Sequence, residues 1–114
     1  NRKLKDGAVY TVQDSVFTLE ITDHLEFDKD SVNVYLNEVE IVNNYELNNQ
    51  KLSLDLPLKE GMNTLILEAI NLGDFAPNTA AFKLKFKDET HQKIMFSNLK
   101  QSDVVYIYYK KEIE

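Results

Sequence analysis

The sequence predicts an all-β protein: an antiparallel β-sandwich of the Ig-like, Greek-key kind with about eight or nine strands, a galactose-binding-like jelly roll being the alternative. Three observations carry this. Apolar side chains recur at every second position in short runs, as in Phe17, Leu19, Ile21, then Leu52, Leu54, Leu56, then Phe82, Leu84, Phe86, which is the period of a half-buried strand. Gly, Pro, Asn and Asp punctuate these runs at roughly ten-residue intervals, the spacing of a meander or sandwich. No stretch repeats its apolar residues at helical spacing over a length that a helix needs.

The elements follow in order. Residues 1–7 are charged and read as a tether; residues 8–114 read as one domain. Ala8–Val12 is a short first strand, and Val16–Thr22 a second, with Phe17, Leu19 and Ile21 inward. An acidic loop, Asp23 to Asp30, precedes Val32, Val34 and Leu36. Leu36-Asn37-Glu38-Val39 then reads as a tight hairpin, Asn37 tolerating the left-handed backbone such turns need. Asn43, Asn44, Asn48 and Asn49 read as loop markers, and Leu52 to Leu56 as a strand stopped by Pro57. The stretch from Gly61 to Phe86 reads as the central pair of a sheet. Its first run, apolar on both parities through Leu65, Ile66, Leu67, Ala69 and Ile70, is placed deepest. In its second run Lys83, Lys85 and Lys87 alternate outward. A return strand follows with Ile94 and Phe96 inward. The last run, Asp103 to Tyr109, closes the sheet with Val105, Ile107 and Tyr109 inward.

Composition limits the function classes. The chain has 114 residues, 43% of them hydrophobic, enough for one domain with a real core. A net charge of -6 repels a phosphate backbone, so nucleic acid is not an expected partner. There is no cysteine, hence no disulfide framework and no thiolate metal site. No apolar run approaches the ~20 residues of a membrane-spanning helix, so no transmembrane segment is expected. The chain begins at Asn1 rather than Met, and the expectation is a trimmed product from which any targeting segment has been removed.

Four groups of residues are chemical candidates. Asp23, Glu26, Asp28 and Asp30 place several carboxylates on one loop, a donor set suited to Ca²⁺, although the spacing is not that of an EF-hand and a solvated turn competes. Tyr35, Tyr106 and Tyr108 offer rings for a glycan platform, against the alternative that they line a core layer. Asn71, Gly73, Pro77 and Asn78 read as a structural loop whose amides satisfy buried backbone groups. The Lys83, Lys85, Lys87 stripe reads as a solvated, edge-protecting face. His24 and His91 lie far apart and lack the company that zinc requires. The sequence has no Gly-x-Ser-x-Gly elbow, Walker loop, His-Glu-x-x-His or dinucleotide glycine set, so the expectation is no catalysis and no obligatory cofactor.

Several strings together resemble an uncharacterised β-sandwich module of exported proteins from Gram-negative bacteria. They are Asp28-Lys29-Asp30, Val32-Asn33-Val34-Tyr35-Leu36-Asn37-Glu38, Gly61-Met62-Asn63, Ala69-Ile70-Asn71-Leu72-Gly73 and Pro77-Asn78-Thr79-Ala80. Lys29 and Glu38 stand where that pattern has Gly, and Ile70 where it has an acid. The resemblance implies an extracytoplasmic location, periplasmic, outer-membrane associated or secreted. It also implies a role as a non-catalytic interaction or spacer module toward a protein or glycan at the cell envelope. The alternative is a carbohydrate-binding module, optionally stabilised by Ca²⁺. Tyr rings exposed in a shallow groove favour the carbohydrate reading; Tyr rings buried between sheets favour the spacer.

Overall fold

The structure is a computed structural model that describes residues 3–4, 7–23, 31–48, 50–70, 78–99 and 101–111. Ten strands are described: β1 (Lys3–Leu4), β2 (Ala8–Val12), β3 (Val16–Asp23), β4 (Ser31–Leu36), β5 (Val39–Glu46), β6 (Leu52–Pro57), β7 (Gly61–Ala69), β8 (Asn78–Lys85), β9 (Thr90–Ser97) and β10 (Gln101–Tyr109). They form a β-sandwich. The larger sheet runs β1-β10-β7-β4-β5, with β2 also paired to β10; the smaller runs β6-β3-β8-β9. β1 and β2 join β10 in parallel, and every other pairing is antiparallel. The β8–β9 hairpin, which lies between β7 and β10 in the chain, completes the opposite sheet.

Alternation dictates the core. Phe17, Leu19 and Ile21 of β3 and Phe82 and Leu84 of β8 face Leu65 and Leu67 of β7, Val32 and Val34 of β4, and Val105 and Ile107 of β10, all fully buried or nearly so. The inward parities read from the sequence for β3, β8 and β10 are the ones found.

Other expectations are corrected. β7 and β8 are not a pair: β7 lies between β10 and β4, while β8 lies between β3 and β9 in the facing sheet. Local patterning shows that each run is a strand; it does not distinguish a hairpin from a crossing between sheets about 10 Å apart. Nor is β7 buried on both faces, since Asn63, Leu65, Leu67 and Ala69 point inward while Thr64, Ile66 and Glu68 are half-buried outside and Ile70 is exposed. On β9 the inward residues are Met95 and Ser97, and Phe96 is 41% exposed. Here Ser97 wins the inward position because its Oγ accepts the Ala69 N–H at 2.8 Å across the sandwich. On the neighbouring parity, the Phe96 N–H donates to buried Asp103 Oδ2 at 2.8 Å, a second cross-sheet tie.

Asn43 and Asn44 lie inside β5, not in a loop. The β4–β5 register shifts around Val34, Asn44 takes φ +48°, and its N–H donates to Asn33 Oδ1 at 2.8 Å, the arrangement of a β-bulge. Lys3–Leu4, read as tether, contributes β1 on the flank of β10. Gly7 permits this approach, because a Cβ there would stand 2.4 Å from the Val104 carbonyl oxygen. β10 is consequently an interior strand, not a closing edge.

Candidate functional site

The outer face of the larger sheet gathers two of the three candidate tyrosines beside the third. Tyr106 pairs with Thr64 on one side and Val9 on the other; Tyr108 pairs with Met62 and Thr11. Residues opposite one another share a face, so these side chains form two adjacent outward rows. The next row is Val104, Ile66, Tyr35 and Glu40, and the row beyond it places Glu68 opposite Asn33. Tyr106 and Tyr108 are two positions apart, roughly 7 Å along the strand. Val9 is 56% exposed, Met62 44% and Tyr108 39%, while Tyr106, Ile66 and Tyr35 are half-buried.

Tyr35 is held by polar neighbours. Its hydroxyl donates to Glu68 Oε1 at 3.1 Å, and Asn33 Nδ2 donates to the same oxygen at 3.1 Å. Burial, reinforced by Glu68 and Glu40, raises the Tyr35 pKa above its ordinary value, because ionisation would place a phenolate beside carboxylates. The ring is therefore a fixed, neutral part of the face.

Beside Tyr106 the face dips into a groove of about 410 Å³ lined by Asn37, Glu38, Lys59, Thr64, Ile66 and Tyr106. Two turns make its walls, and one buried amide joins them. Asn63, fully buried, donates from Nδ2 to the carbonyls of Lys59 at 2.9 Å, Gly61 at 3.1 Å and Ile107 at 3.1 Å. Its Oδ1 accepts from the Lys59 N–H at 2.9 Å and from Asn37 Nδ2 at 2.8 Å. Asn37 in turn accepts the Thr64 N–H at Oδ1, 2.9 Å, and donates its own N–H to the Thr64 carbonyl at 2.9 Å. The hairpin is as tight as expected, with φ +52° at Asn37 and +70° at Glu38. That pattern needs left-handed backbone at both central positions, easy for Asn and strained for Glu.

The other candidates divide. Of the Ca²⁺ set only Asp23 is among the described residues, buried at the end of β3 opposite Ala80; Glu26, Asp28 and Asp30 lie outside them. Asn71, Gly73 and Pro77 likewise lie outside, and Asn78 opens β8 opposite Ser97. Among the described residues no group of three or more His, Asp or Glu side chains could hold a metal ion. No helix among them is long and apolar enough to cross a membrane. On the smaller sheet the Lys stripe has an anchor that sequence reading missed: Glu20, 7% exposed, lies 2.9 Å from Lys85 Nζ and 3.3 Å from Lys51 Nζ. Lys85, through its ion pair and hydrogen bond, holds the Glu20 carboxyl below its usual pKa against the opposing effect of burial. Met62, Val9, Glu38 and Lys59 were missed as surface neighbours of Tyr106 and Tyr108, since the register of β2, β7 and β10 brings in Val9 and Met62, and the β4–β5 and β6–β7 turns bring Glu38 and Lys59 to the groove beside Tyr106.

Comparison with protein-family models, with curated proteins and with solved structures finds no match to this chain.

Proposed function

We propose that this domain is a non-catalytic interaction module of an exported or cell-envelope protein, and that it engages its partner through the outer face of the larger sheet. The observation that supports it is the pair of adjacent rows that holds Tyr106, Tyr108, Met62 and Val9, large side chains at the surface of a sheet whose other side is the core. Aromatic and Met side chains in such positions lose contact with water only when something covers them. The extracytoplasmic location rests on the sequence resemblance alone.

A carbohydrate ligand is the reading favoured within this class, because Tyr106 lines a shallow groove with polar side chains on its rim. Stabilisation by Ca²⁺ at Asp23, Glu26, Asp28 and Asp30 belongs to the same reading, and its test is a calorimetric titration with and without the ion. The face itself is tested by co-sedimentation with purified envelope fragments and by a glycan array. The Tyr106→Ala, Tyr108→Ala double variant loses binding, and Lys83→Ala on the opposite sheet retains it. Binding unchanged by the double variant refutes this face; absence of any binding by the wild type leaves the spacer role.

A further inference from the structure

We infer that the groove between the Asn37-Glu38 turn and Lys59 is a subsite for a neutral pyranose, an inference that rests on the carbohydrate reading above and adds the class of sugar and the residues that select it. The groove, about 410 Å³, lies within the range of about 300–1,000 Å³ usual for small-ligand sites. Its lining is mixed: Ile66 and the Tyr106 ring supply an apolar wall, while Thr64, Glu38 and Lys59 supply a hydroxyl, a carboxylate and an ammonium group.

The two charges decide the ligand class. Glu38 only accepts hydrogen bonds and Lys59 only donates them. Neither carries an ion pair among the described residues, so both are available to a ligand. A sugar hydroxyl both donates and accepts, so one uncharged ring satisfies the carboxylate and the ammonium group together while its C–H face rests on the apolar wall. These hydrogen bonds are charge-assisted and stronger than neutral ones. An acidic sugar meets Lys59 at the cost of Glu38, and a cationic ligand the reverse.

Pre-organisation supports the same assignment. Asn63 ties Asn37 on one wall to Lys59 on the other, so the polar groups spring from a fixed frame and less ordering is needed on binding. Glu38 keeps a long carboxylate at φ +70°, where L side chains other than Asn and Asp seldom sit. Such strain persists where surrounding contacts impose it, here the paired Asn37–Thr64 hydrogen bonds.

The test is an isothermal and NMR titration of the domain with cellohexaose, xylohexaose and mannohexaose as neutral probes, and hexagalacturonate as the acidic one. Wild type, Glu38→Gln, Lys59→Gln and Tyr108→Ala are compared, each checked by circular dichroism for an unchanged fold. At least one neutral hexasaccharide binds, and Glu38→Gln and Lys59→Gln each weaken it about tenfold. Neutral-sugar binding that depends on Tyr108 but is indifferent to both Gln variants overturns the subsite and leaves the binding face intact. No neutral binding at millimolar sugar, or tighter binding of hexagalacturonate, overturns the pyranose assignment; the face then stands or falls on envelope binding by the tyrosine double variant.

Discussion

Replacing Asn63 with Ala removes a side chain that joins the β4–β5 turn, the β6–β7 turn and the core strand β10. Five polar contacts of 2.8–3.1 Å disappear with it. A net intramolecular hydrogen bond is worth about 0.5–1.5 kcal/mol, and a buried group left unsatisfied costs about 1–3 kcal/mol. Lys59 and Asn37 sit at the surface and regain water, so their lost contacts count at the lower figure. The Ile107 carbonyl belongs to a fully buried residue and cannot. The sum is about 3–5 kcal/mol, about a fifth or more of the ~5–15 kcal/mol that holds an ordinary domain together. Urea unfolding followed by circular dichroism reads it directly, as a fall in the midpoint with an unchanged slope. Asn63→Asp sharpens the test: it keeps the shape but points an oxygen at three carbonyl oxygens. Its carboxyl is protonated more readily in the folded chain than in the unfolded one, so its penalty is full near neutrality and shrinks as pH falls toward about 4. A loss below about 1 kcal/mol for Ala, or an Asp variant as stable as wild type at pH 7, refutes the accounting.

Three further outcomes are expected. Glu38→Gly relieves φ +70° at the hairpin but adds unfolded-chain entropy, for a net gain of about 0.5–1 kcal/mol and a melting point higher by a few degrees; a lower melting point counts against strain at this turn. The depressed pKa of Glu20 means that its ion pairs contribute stability above the unfolded-state value near 4.5, lost as pH falls through the folded value. Denaturant midpoints for Glu20→Gln therefore lie below wild type at pH 7 and converge with it as pH falls below the depressed folded value, where the wild-type carboxylate is also neutral. The raised pKa of Tyr35 makes its phenol ionise later than an unperturbed one, and the folded state loses stability as pH climbs above about 10, where the unfolded chain ionises first. Ultraviolet titration of Tyr35→Phe lacks this late-ionising phenol, and an unchanged upper limb of the titration curve argues against the Glu68 contact.

Strand identity and most inward parities were legible because burial on one face requires period-two alternation, as in Phe17, Leu19, Ile21 and in Phe82, Leu84, Phe86. The β4–β5 turn was legible because Asn tolerates left-handed backbone. Phe96 misled because hydrophobicity alone ranks Phe above Ser for the interior, whereas here a hydrogen bond from Ala69 to Ser97 sets the parity of an edge strand. The outer face that carries the tyrosines was half-legible: Tyr106 and Tyr108 share a parity in any strand, but Met62 and Val9 join them only through register.

What the sequence by itself determined is the set of pleated ribbons and the sidedness of most of them, since these depend on neighbours two residues away. Which ribbons pair, that Gly61–Ala69 and Asn78–Lys85 lie in opposite sheets, and that Glu38 and Lys59 flank the Tyr106 ring were decided only by tertiary structure. The reason is that strand pairing and cross-sheet contact join residues distant along the chain, and the choice among many apolar partners is made by how all of them pack at once.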